Sequence, residues 1–96
     1  MSLKEQLEDF AGSVGGAATR APDEYPEWGH MTYESHMADL KELWSEIRRQ
    51  ITSDVEKVRF IDQKLQEMFA AFESGEKDKG RKAAWSIYNL KVETLR

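Results

Sequence analysis

Tyr33, Met37, Leu40, Trp44, Ile47, Ile51, Val55, Val58, Ile61, Leu65, Met68 and Phe72 form an apolar ladder with steps of 4, 3, 4, 3, 4, 4, 3, 3, 4, 3 and 4 residues. That spacing is helical and has none of the alternation of a strand. A stripe of this kind keeps one helical face apolar for about eleven turns, and something must cover it. It predicts an all-α protein whose surface role is helix packing.

Whether the ladder is one helix turns on Thr52-Ser53-Asp54. Ser53 and Glu56 have the spacing of a capping box, which favours a break. Against a break, no Gly or Pro lies between residues 30 and 74, and the ladder advances 18 residues from Ile47 to Leu65 in five steps. That advance matches about five undistorted turns. The pairs Glu46/Arg49, Asp54/Lys57 and Glu56/Arg59 also support a helix across the doubtful point. One long helix from about 32 to 74 is therefore expected, with a kink near 52–54 as the alternative. Thr32 is its expected N-cap.

Gly75 ends this helix, and a polar turn from Glu76 to Gly80 precedes a last helix over about 78–95. Its apolar face is read as Ala84, Trp85, Ile87, Tyr88, Val92 and Leu95. The short connection makes an antiparallel αα-hairpin. At the other end, Ser2 caps a first short helix bearing Leu3, Leu7, Phe10 and Val14, which Gly12 and then Gly15-Gly16 end. Residues 13–29, rich in small residues and holding Pro22 and Pro26, read as linker. Two units follow: 1–30, a short tethered helix with its flexible linker, and 31–96, the helical hairpin.

A last helix of about 17 residues covers only the ladder from Val55 to Phe72. Met37, Leu40, Trp44, Ile47 and Ile51 stay bare, each forgoing about 1.5–3 kcal/mol in water. The first helix, on a linker of about 20–25 Å reach, offers only three or four apolar residues in return. A second copy is the expected cover, so those five residues form the expected self-association or partner interface of a dimeric bundle.

Charge supports association. Residues 1–46 carry −7 and residues 47–96 carry +3, within a net charge of −4. Opposite signs in the two halves favour antiparallel self-association or an oppositely charged partner. At 33% charged and 40% hydrophobic the chain is too apolar for wholesale disorder. It lacks cysteine, which removes disulfides and thiol chemistry. Met1 to Phe10 are acidic and amphipathic, with no basic segment leading into an apolar run, and no 18-residue apolar stretch follows. No secretory leader and no membrane association are expected, which points to the cytoplasm.

Catalytic and metal signals are weak. His30 and His36 stand six apart, on different helical faces, unlike the i,i+4 pair of a zinc helix. Glu27-x-x-His30 has the form of a di-iron element, but the further inward carboxylates such a site needs are replaced by apolar positions. Capping or surface roles are expected for both imidazoles. No serine sits in a strand–turn–helix context, and Gly12-Ser13-Val14-Gly15-Gly16 lacks the Lys-Ser/Thr of a phosphate loop. No catalytic residue, metal or cofactor is assigned.

Two segments suit binding. Ala21 to Trp28 sets Tyr25 and Trp28 among acidic residues and two prolines, an extended stretch fit for docking into a partner's groove. Lys77, Lys79, Arg81 and Lys82 cluster at the hairpin turn, a basic patch able to meet phosphates. The expected function is a small non-catalytic protein–protein interaction module, an adaptor, regulator or inhibitor of an unidentified larger protein. The alternative is a nucleic-acid-associated regulator that uses the basic patch, against which stand the interspersed Glu76 and Asp78 and a pI near 5.2.

Overall fold

The computed structural model describes residues 2–26, 29 and 31–96, and every regular element among them is helical. The elements are α1 (Leu3–Arg20), α2 (Tyr33–Arg48), α3 (Val55–Glu73), α4 (Lys77–Tyr88) and a closing 3-10 turn (Val92–Thr94). They run alternately up and down around one core, a bundle-like packing. The Cα radius of gyration is 12.8 Å, against ~12.5 Å for a packed chain of this length, so no element stands off from the rest.

The expected continuous helix over 32–74 is two helices, α2 and α3, joined by residues 49–54. Thr52, Ser53 and Asp54 are poor helix formers whose side chains compete for backbone groups, and here tertiary structure takes up the freed amides. The N–H groups of Ser53 and Asp54 donate to the Arg96 carbonyl at 2.9 and 3.0 Å, and Asp54 Oδ2 accepts from the Arg96 N–H at 2.9 Å. The Ser53–Glu56 capping box does not form, and Asp54 caps α3 without a side-chain bond. The corner folds the ladder onto itself. Tyr33 meets Phe72 edge-on at 6.0 Å, and the Trp44 indole N–H donates to Asp62 at 2.7 Å. Thr32 caps α2 as expected, in a reciprocal box with Ser35.

The larger correction concerns α1. It does not end at its glycines but continues to Arg20, which shortens the expected linker. Leu7, Phe10, Val14, Ala17 and Ala18 all enter the core. Phe10 stacks on Trp44, and Gln6 bonds Glu46 and Gln50 at 3.1 and 2.7 Å, so α1 runs antiparallel to α2. Met37, Leu40, Trp44, Ile47 and Ile51 are thereby buried within the chain. The bare seam that called for a second copy does not exist, and these five side chains are not a surface. Nor is α1 tethered: its apolar residues and those of 31–96 share one cluster.

The link at 74–76 folds α4 back along α3, with Gly75 in the left-handed region at φ +83°. Gly80 lies so close to the Phe72 ring that a Cβ there would collide with it. α4 buries Gly80, Ala83, Ala84 and Ile87 and stops at Tyr88, short of the expected 95. Lys91 takes a left-handed turn at φ 58°, which returns Val92 and Leu95 to the core beside α1. Ala84, Ile87, Val92 and Leu95 of the expected apolar face are buried, and its two aromatic residues are not. Trp85 and Tyr88 point outward.

Candidate functional site

Three places concentrate polar or exposed aromatic groups, and the first centres on His36. Its imidazole is 1% exposed, not on the surface as expected, and lies between α1, the 21–32 connection and its own helix. The Tyr25 hydroxyl is 2.5 Å from Nδ1; Nε2 lies 2.9 Å from the Ser13 carbonyl and 3.1 Å from Ser13 Oγ. A carbonyl only accepts, so the tautomer that satisfies every group protonates Nε2 and leaves Nδ1 to accept from Tyr25. Burial holds His36 below its ordinary value near 6.5. The Ser13 carbonyl and Asp39 oppose that shift, and the Arg20 charge adds to it. Gly16 faces the ring, and a Cβ there would stand 3.4 Å from it, an ordinary van der Waals contact. A cleft of about 340 Å³ opens beside the site, lined by Asp9, Ser13, Arg20, Tyr25 and Met31 among others.

Ser13, His36 and Tyr25 are spaced like a nucleophile, base and orienting group, but their chemistry is wrong for that role. Nε2 carries the proton, so it faces Ser13 Oγ as a donor and not as a base. Burial, with the neighbouring Tyr33 phenol, pushes Tyr25 up to about 12, so it brings no negative charge to steady an imidazolium. Ser13 also sits inside α1, where its amide is committed to the helix and forms no oxyanion hole. The trio ties three segments together. Among the described residues, no buried side-chain nitrogen or oxygen lacks a partner. No group of three His, Asp or Glu side chains there is placed to hold a metal ion.

The second place is the expected basic patch. The fold brings its members to one end of α4 but engages three of the four. Arg81 donates to the Ala21 carbonyl at 2.7 Å and to the Glu24 carboxylate. Lys77 lies 3.1 Å from Asp23 and 3.8 Å from Glu24, and Lys79 lies 3.9 Å from Glu76. Glu24 is held below the usual carboxylate range by the Arg81 hydrogen bond and charge, then by Lys77. Lys82 is exposed. The described part of the expected docking segment is thus fastened, at residues 21–24 by this clasp and at Tyr25 by His36. Trp28, Glu27 and His30 lie outside the described residues.

The third place is one that sequence reasoning put in the core. Trp85 and Tyr88 are 41% and 45% exposed on the outer face of α4, edge to face with ring centroids 5.4 Å apart. Tyr88 rests on α1 at Gly15, where a Cβ would stand 3.2 Å from the ring. A cleft of about 400 Å³ continues from Tyr88, lined by Glu8, Ala11, Asn89, Lys91 and Glu93. The signal was present in the spacing. With the stripe phased on Gly80, Ala83, Ala84 and Ile87, residues 85 and 88 fall about 150° and about 90° from its centre.

No family model, curated protein or solved structure matches the chain. No helix among the described residues is long and apolar enough to cross a membrane.

Proposed function

We propose that this chain is a small, non-catalytic, cytoplasmic interaction module that binds another protein chain through the outer face of α4. One observation carries the reading: Trp85 and Tyr88 stand side by side in water while the smaller Ala83, Ala84 and Ile87 of the same helix fill the core. Trp and Tyr are the side chains most enriched where binding energy concentrates, since each pairs a large rigid ring with a polar handle. The nucleic-acid reading draws less support, because Lys77, Lys79 and Arg81 already face carboxylates.

The test is affinity capture from the native cell with the wild type and with Trp85→Ala/Tyr88→Ala. Partners recovered by the wild type and lost by the double variant, with unchanged far-UV circular dichroism, support the reading. Identical recovery by both proteins overturns it. Nucleic acid in the captured material, retained by the double variant and released by salt, would favour the basic end of α4 instead.

A further inference from the structure

We infer that the partner chain presents an arginine to this protein, with its guanidinium on the Tyr88 ring and within reach of the carboxylates of Glu8 and Glu93. The inference rests on the proposed use of Trp85 and Tyr88 and adds the chemistry of what they receive.

Three parts of the chain meet at the cleft of about 400 Å³ beside Tyr88. Glu8 and Ala11 come from α1, Tyr88 and Asn89 from the end of α4, and Lys91 and Glu93 from the turn that follows. Two carboxylates and one ammonium line it, so negative charge is in excess there. Glu8, Lys91 and Glu93 are all exposed, and none forms an ion pair with another described residue. Neither carboxylate is committed within the chain.

The helix adds to this charge. Asn89 is the C-cap of α4, so the negative pole of the helix opens on the cleft, and the last turn holds no basic side chain. Tyr88 supplies an exposed ring, and the face of such a ring attracts cations. A guanidinium answers all three features at once. It is flat enough to stack on the ring, always charged, and its fork of N–H donors suits carboxylates, whereas a lysine ammonium offers only a point charge. Trp85, 5.4 Å from Tyr88, is left for the arginine's apolar stem or its neighbours in the same segment. A phosphate-bearing partner would meet the same carboxylates as repulsion.

The probes are N-acetylarginine amide and its uncharged isostere N-acetylcitrulline amide, titrated into the full chain and followed by heteronuclear NMR. The arginine probe is expected to shift the amides of Glu8, Tyr88, Asn89, Lys91 and Glu93, with a dissociation constant on the order of 10 mM that weakens with salt. The citrulline probe should bind about tenfold more weakly, as should the arginine probe on Glu8→Gln/Glu93→Gln. Both substitutions fall on exposed side chains, so circular dichroism should not change. Equal shifts by the two probes, no shift at the cleft up to about 100 mM, or binding untouched by Glu8→Gln/Glu93→Gln overturns the arginine assignment. Capture judges the aromatic pair separately. A partner lost with Trp85→Ala/Tyr88→Ala but kept by Glu8→Gln/Glu93→Gln overturns the arginine and leaves the use of the two rings standing.

Discussion

Phe10 and Trp44 stack with ring centroids 5.0 Å apart and 25° between their planes, and this contact makes α1 part of the core. Neither ring is replaceable by water or by a smaller neighbour. Phe10→Ala is expected to cost about 3–5 kcal/mol, a large part of the ~5–15 kcal/mol that holds a domain together. Urea denaturation followed by circular dichroism measures it. A loss below ~1 kcal/mol is what an undocked α1 would give.

Stability should fall with acid through the range where His36 titrates. Burial lowers its folded-state pKa below 6.5, so between the two values the unfolded chain binds more protons. The stabilisation is complete above about 6.5 and is lost as pH falls towards the folded-state value. Glu24, depressed by Arg81, adds a separate loss below about 4.5. Thermal midpoints between pH 7.5 and 5.5 are expected to decline for the wild type and to flatten for His36→Gln.

Tyr25→Phe removes the donor to Nδ1 and leaves a buried acceptor unsatisfied. The expected cost is about 1–3 kcal/mol. The same change withdraws a hydrogen bond from the neutral imidazole, so the His36 pKa should rise towards 6.5. An NMR titration of the His36 ring separates this from general loosening. A drop in stability with no movement of that titration would mean that the 2.5 Å contact does not hold the tautomer described.

Gly12 and Gly80 both lie inside helices, yet alanine should act on them with opposite sign. At Gly12 a Cβ meets nothing within 4 Å, so Gly12→Ala is expected to stabilise by about 0.5–1 kcal/mol through helix propensity. At Gly80 the same atom strikes Phe72, whose ring is buried and braced by Tyr33. Overpacking of about 1–3 kcal/mol outweighs the propensity gain there. Chemical denaturation of the two single variants decides both signs.

The helical class, the Ser2 and Thr32 caps, the stop at Gly75 and the core membership of the ladder, apart from exposed Val55 and half-buried Tyr33, were legible in residue order. The corner at 49–54 was not, because Ile51 plugs the core inside the turn and keeps the helical period running across the gap. Local patterning cannot distinguish that from a straight helix. The decision rests on Arg96 reaching back to Ser53 and Asp54, a contact between residues 42 and 43 positions apart. The glycines of α1 misled for a similar reason. Gly15 and Gly16 are interior helical positions facing Tyr88 and His36, rings contributed by other helices, and the approach is tight at Gly15. His36 itself sits beside Met37 on the ladder's flank, and only the arrival of Tyr25 and Ser13 makes its burial tolerable.

Leu7 and Phe10 lie in the first helix, while Val92 and Leu95 belong to the last turn packed against it. A chain emerging from the ribosome in residue order presents α1 well before the residues that complete its cover. Until residues 92–95 emerge, that greasy helix has neighbours that pair with it only incompletely. α1 therefore stays prone to sticking until Val92 and Leu95 can reach it.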